Sequence, residues 1–189
     1  MAASVVINRY TGAGPTATPI TANTVVTAND LPQILASASA VGVADPIQIP
    51  PGAGTNYSFW CTTGLEVTVA PSTAINNVRW YTDGADGFGT GVSCVYGSAP
   101  ANGLIRANYD QATGTSSTGD ELVAGHATIT AAVSPFTFTA GAPLTIGNGS
   151  IGAATGALGN FIVYQFQVIQ TALPGPTNQE TFTWAFDES

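Results

Sequence analysis

Apolar and polar residues alternate in short segments along most of this chain. Leu65, Val67 and Val69 alternate with Glu66 and Thr68, which is the period of two that a half-buried strand requires. Similar segments are rich in Val, Ile, Thr and aromatic residues and are separated by clusters of Gly, Pro and Ser. Their spacing is typical of sandwiches and barrels. We therefore predict an all-β fold, an antiparallel, jelly-roll-like β-sandwich.

The predicted strands share β-branched and aromatic residues and end at turn residues. After residue 50 they cover residues 57–62, 65–70, 77–82, 91–96, 104–109, 126–132, 136–140, 144–147, 160–170 and 180–187. We expect the first two to form a hairpin across Thr63 and Gly64. Asp83-Gly84 is a strong turn signal, and we expect 91–96 to return beside 77–82.

The two closing strands carry the strongest apolar signal. Residues 160–170 are apolar on both faces, which predicts a central strand that is covered on both sides. In residues 180–187, Phe182, Trp184 and Phe186 share one face. These three aromatic side chains are expected to face a core or a neighbouring subunit.

The first fifty residues differ from the rest, because Tyr10 is their only aromatic residue and five prolines interrupt them. We predict an extended N-terminal arm with strand-like pieces at 4–9 and 24–27 and a short helix at 31–40. The turn at Pro50-Pro51-Gly52 marks its end. The predicted organisation is thus an arm, residues 1–50, and a β-sandwich domain, residues 51–189.

Charge is scarce. The chain has no lysine, three arginines and eleven Asp and Glu, so that 7% of its residues are charged against about a quarter in an ordinary soluble domain. Few charges remain to keep copies apart, which suits a protein packed among neighbours. The net charge of −8 argues against nucleic acid and anionic lipid as partners. No apolar run approaches the roughly 20 residues of a spanning helix, so we expect no membrane partner.

The N-terminal residues lack the apolar stretch of an export signal. A composition without lysine and rich in Thr, Gly and Ala is typical of an exposed structural protein. Together with the missing export signal, it is expected of proteins that assemble inside a cell and work outside it, as virion proteins do.

Candidate catalytic groups are few. His126 is the only histidine and lies in an ordinary alternating segment, and no G-x-S-x-G turn is present, so we interpret it as structural. Glu66, Glu121 and Glu180 are interpreted as solvated or interface residues rather than a glycosidase pair. Trp60, Trp80 and Trp184 are better explained as core than as a sugar-stacking platform. We predict no catalytic residue and no cofactor.

Two further groups have alternative interpretations. Cys61 and Cys94 are either buried thiols, which we favour for assembly in a reducing cytoplasm, or one disulfide between two strands. The carboxylates of Asp83 and Asp86 in DGADGFG could supply oxygen ligands to calcium, but Asp-Gly pairs are found mainly in turns. We therefore predict a turn there and no metal site.

The segments INNVRWYTDGAD, residues 75–86, and ETFTWAFDES at the C-terminus resemble patterns in small structural proteins of tailed bacterial and archaeal viruses. There, a strand enters an Asp-Gly turn and the chain closes on an aromatic, acid-ended strand. The resemblance implies a capsid decoration protein, a minor capsid protein or a tail component.

The leading hypothesis is a non-enzymatic virion structural protein that forms a homo-oligomer and contacts other virion proteins, such as a major capsid protein. Its arm would clasp neighbouring copies by strand pairing. One alternative is a subunit of an extracellular filament or surface layer that polymerises by strand exchange. Another is a carbohydrate-binding β-sandwich.

Overall fold

The computed structural model describes residues 2–20, 47–114, 118–175, 177–178 and 180–189. These residues form ten strands, one α-helical turn and two 3-10 turns. The strands are β1 (Ser4–Thr11), β2 (Thr16–Ile20), β3 (Thr55–Tyr57), β4 (Cys61–Val69), β5 (Ile75–Tyr81), β6 (Val92–Ala99), β7 (Ala131–Val133), β8 (Leu144–Thr145), β9 (Gly156–Ile169) and β10 (Thr183–Glu188). The helical turn α1 is Leu122–Gly125, and the 3-10 turns are Arg106–Asn108 and Pro135–Thr137. The predicted strand at 24–27 and helix at 31–40 lie outside the described residues.

The strands form two sheets. The main sheet has the order β2-β1-β4-β9-β6-β7, and β3 pairs with the C-terminal end of β9. The small sheet has the order β10-β5-β8. Every ladder is antiparallel, which confirms the predicted all-β, antiparallel class. No described helix is long and apolar enough to cross a bilayer.

One hydrophobic core joins the two sheets. Most of its members come from β4, β6 and β9 of the main sheet and from β5 and β8 of the small sheet, and Phe88, Phe136 and Ile146 of the connecting segments complete it. At its centre is Trp80 of β5, 1% exposed, with its ring 5.6 Å from that of Tyr96 and 5.3 Å from that of Phe182. Aromatic pairs at such separations add stability beyond the area that they bury.

A second core covers the opposite face of the main sheet. It is formed by Trp60, Leu104, Leu122, Ile129, Phe161 and Val163. Three of these side chains belong to the segment between β6 and β7, which lies over β9. Residues of β9 therefore enter both cores, which confirms that this strand is central and covered on both faces.

Gln165 attaches the covering segment to β9. Its side chain is fully buried, and Nε2 donates to the carbonyls of Ser58, at 2.7 Å, and Asp120, at 2.6 Å. Its Oε1 accepts the backbone N–H of Leu122 at 2.8 Å. A buried amide is tolerated only when its hydrogen bonds are made, and here the bonds to Asp120 and Leu122 hold the chain that enters α1.

The predicted hairpin at Thr63 and Gly64 is wrong, because β4 runs unbroken through both residues. Its register against β9 shifts between Thr63 and Leu65, where Gly64 alone faces residues 159–161, so the glycine lies opposite a bulge in β9. Its missing Cβ leaves room for two neighbours: a methyl group there would lie 2.8 Å from the Phe161 ring and 3.0 Å from an Arg106 nitrogen.

The predicted pairing across Asp83-Gly84 is also wrong. β5 and β6 belong to different sheets, so the connection between them crosses the core instead of forming a hairpin. The core requires this crossing, because Trp80 and Tyr96 meet from opposite sheets. Two other predicted strands are wrong: 104–109 and 136–140 contain 3-10 turns and isolated bridges but no strand. The predicted strand at 126–132 is shorter than expected and begins only at Ala131.

The N-terminal residues pair with the main sheet. The predicted strand at 4–9 is part of β1, which pairs with β4, and β2 forms its hairpin partner. The side chains of β1 are mostly half-buried, whereas those of β2 are exposed up to Ile20. The arm at 1–50 stays a prediction, because residues 21–46 lie outside the described part; its first strand lies on the domain.

Candidate functional site

His126 lies at the C-terminal end of α1 and is 5% exposed. Its Nδ1 accepts the backbone N–H groups of Thr128 and Ile129, each at 3.2 Å. A nitrogen that accepts two donors carries no proton, so the proton of the neutral ring is on Nε2, which is buried and has no hydrogen-bond partner. Burial lowers the pKa of His126, although the negative charge of Asp110 opposes the shift. Because its basic nitrogen is occupied, His126 is not arranged as a general base.

Acid is expected to weaken the fold through His126. The unfolded chain takes up a proton near pH 6.5, whereas the folded chain resists it, so stability is complete above pH 6.5 and falls as the pH drops toward the lower folded pKa. No other side chain of this protein normally titrates in that window. Urea unfolding at pH 7.5 and 5.5 measures the effect. His126→Gln should remove most of the difference in unfolding free energy between the two pH values. If the variant lost as much stability at pH 5.5 as the natural protein does, the assignment to His126 would be contradicted.

Asp83 and Asp86 serve as turn residues. Oδ1 of Asp83 accepts the N–H of Ala85 at 3.0 Å, and Oδ1 of Asp86 accepts that of Phe88 at 3.4 Å, as Asx turns do. The sequence did not predict that a third carboxylate, that of Glu180, lies near them. Its pKa is raised by burial and by the charges of Asp83 and Asp86, while the Gly87 N–H opposes the rise. Across the described residues, no group of three or more His, Cys, Asp and Glu has the geometry to hold a metal ion.

Cys61 and Cys94 are buried thiols, as predicted, and no disulfide joins them. Cys61 of β4 lies opposite Tyr164, and Cys94 of β6 opposite Phe166, on the two sides of β9. Two strand spacings amount to roughly 10 Å, which is too far for a bridge. Burial raises the pKa of Cys61 to about 12 and that of Cys94 well above its usual value. Both thiols are therefore unreactive at neutral pH.

The three arginines are all used within the molecule. Arg106 is half-buried and bonds the carbonyls of Gly159, Leu65 and Leu158 and the Tyr10 hydroxyl. Arg79 forms an ion pair with Asp187. The charge of Arg9 acts on Cys61 and Tyr164 in the core, where it opposes the rise of their pKa values. The eleven acidic residues outnumber the three arginines, and Arg79, the exposed partner of Asp187, has its charge balanced by that carboxylate.

The other candidate groups are dispersed. Glu66 accepts a hydrogen bond from Asn8 at 2.6 Å, Glu121 precedes α1, and Glu180 lies beside Gly87. Of the tryptophans, Trp60 and Trp80 are buried core residues and Trp184 is half-buried. The structure thus brings together neither a carboxylate pair from Glu66, Glu121 and Glu180 nor an exposed tryptophan platform.

One small pocket lies between the loop after β1 and the segment after β6. Tyr10, Trp60, Tyr109 and Asp110 are among its lining residues. It has room for about one water molecule, well below the size of a pocket for an organic ligand. Tyr109 closes one side by donating to the Gly12 carbonyl at 3.0 Å.

Comparisons with models of known protein families, with curated proteins and with solved structures find no match to this chain.

Proposed function

We propose that this chain is a non-enzymatic structural protein of a virus particle, a capsid decoration, minor capsid or tail component. In this role it self-associates and stabilises the particle by packing against other virion proteins, such as a major capsid protein. The observation that carries the proposal is the scarcity of charge, and of positive charge above all: the chain has three arginines and no lysine, Arg106 is half-buried, and Arg79 is paired with Asp187 at the surface.

Charge scarcity has a direct consequence for association. Burying a surface between copies costs several kcal/mol for each charge that loses water without a partner. A chain with 7% charged residues has large areas where that cost is absent. Ordinary soluble domains use charge to stay apart, so a surface of Thr, Ser, Ala and Gly favours a packed environment.

The fold supports a role in strand-mediated assembly. In this proposal the two sheets form a jelly-roll-like sandwich and residues 1–50 form an arm. The hairpin β1–β2 pairs with β4 of its own chain, and β2 is exposed along nearly its whole length. Exchange of such an edge hairpin between identical copies is a low-cost route to oligomers.

The proposal is tested by the native mass of the untagged protein and by the protein content of purified virus particles from its source. A defined oligomer, together with peptides of this chain in the particles, supports it. A monomer that binds a specific glycan would favour the carbohydrate-binding alternative.

A further inference from the structure

The outer strands of the two sheets differ in how well they are protected against pairing with another chain. Natural sheets protect their edges with prolines, bulges, charges or very short strands. In the main sheet, β2 contains Pro19 and β7 has three residues. In the small sheet, β8 has two residues. Only β10, among these outer strands, has six residues without a proline.

The backbone of β10 is regular. It pairs with β5 alone among the described strands. The register shift in this pair leaves Asn77 and Val78 of β5 opposite Phe186, so the extra residue belongs to β5, where Asn77 has a φ of 51°. Within the described ranges no strand pairs with the far edge of β10, and the backbone donors and acceptors of such an edge are a template for another strand.

The side chains of β10 fit a second copy of the same strand. We propose that two copies associate by antiparallel pairing of β10 about a two-fold axis at Ala185. This inference rests on the proposed self-association and names its interface. In this register Trp184 of each copy lies opposite Phe186 of the other copy. The two three-stranded small sheets become one continuous six-stranded sheet.

The charges of β10 favour the same register. Its only charged residues are Asp187 and Glu188. Asp187 would lie opposite the partner's Thr183, and the carboxylates of the two copies would remain at opposite ends of the paired strands. Phe182, Trp184 and Phe186 pack against the core but are only half-buried. Cross-strand aromatic pairs stabilise sheets, so pairing would bury the part of these rings that is exposed to solvent in a single copy.

Cysteine crosslinking tests the register. Ala185 is the only residue of β10 that meets its own copy, so Ala185→Cys should give a covalent dimer with a short bismaleimide. Thr183→Cys is the matched control, because its two copies would lie four residues apart. The buried Cys61 and Cys94 have raised pKa values and should not react. Efficient crosslinking of the control, equal to that of Ala185→Cys, would overturn the register.

A charge variant tests the interface without crosslinking. Arg79 of β5 has a strand neighbour on each side: Ala185 of β10 on one side and Thr145 of β8 on the other. Ala185→Glu places two like charges opposite each other at the two-fold axis, and we expect it to weaken the dimer about fivefold or more. Thr145→Glu adds the same charge beside the same arginine and should leave dimerisation unchanged.

The outcomes separate this inference from the proposed function. An oligomer in which Ala185→Cys fails to crosslink overturns the β10 interface and leaves self-association standing. A protein that stays monomeric and uncrosslinked contradicts both.

Discussion

Arg106→Met should lower the free energy of unfolding by about 3 kcal/mol, because it removes the donors of several backbone acceptors at once. Nε bonds the Gly159 carbonyl at 2.7 Å, and one terminal nitrogen bonds the Leu65 carbonyl at 2.6 Å. The guanidinium also stacks on Phe161, with its central carbon 4.5 Å from the ring centre. No described carboxylate forms an ion pair with it, so carbonyls and rings hold this cation. Urea unfolding at pH 7.5 measures the loss.

Two comparison variants isolate the cause. Arg106→Lys keeps the charge but loses the planar fork, and it should recover only part of the stability. Arg79→Met removes an arginine whose ion pair with Asp187 is exposed, and it should cost about 1 kcal/mol or less. If Arg106→Met lowered the free energy of unfolding no more than Arg79→Met does, the hydrogen bonds from Arg106 to β4 and β9 would contribute no more than an exposed ion pair.

Gln165→Leu is expected to cost about 3 kcal/mol or more, because leucine has a similar size and makes none of the three hydrogen bonds. The carbonyls of Ser58 and Asp120 and the N–H of Leu122 would lose their partner inside the protein. We expect α1 and its neighbours to detach first, which limited proteolysis would detect as cleavage after residue 118.

Gln167→Leu provides the control for this change. Gln167 lies two residues further along β9 and is partly exposed, so the same substitution should change stability by about 0.5 kcal/mol or less. Similar losses in the two variants would show that the buried amide does not hold the covering segment.

The sequence predicted features that depend on local pattern. Alternation at Leu65, Val67 and Val69 identified β4, and the apolarity of both faces at 160–170 identified β9 as the central strand. Each of these strands has an inner face that the core buries, so burial and sequence period agree. The buried thiols were also predictable, because Cys61 and Cys94 stand among aromatic residues in strands.

The errors arose where tertiary contacts decide the local structure. Thr63-Gly64 has the composition of a turn, yet the glycine is needed because Phe161 and Arg106 occupy the space beside it. Residues 104–109 have strand propensity, but Leu104 bridges to Phe161 and the chain then turns at Arg106. No local pattern contains these partners, which lie more than 40 residues away along the chain.

The candidate interface was predictable only in part. The aromatic face of residues 180–187 was visible in the sequence, and its expected contact with a core or a neighbour agrees with half-buried rings. That β10 is an outer strand, and that the bulge beside it belongs to β5, follow from strand order and register. Similarly, the sequence alone does not show that the charges of Asp83 and Asp86 act on Glu180, which is far from them along the chain.

The central claim, that this chain associates with itself, is tested most directly by sedimentation velocity of the untagged protein over a wide concentration range. At pH 7.5 we expect a defined oligomer, or a dimer whose fraction rises with concentration. A single species of 19.1 kDa at every concentration would contradict it.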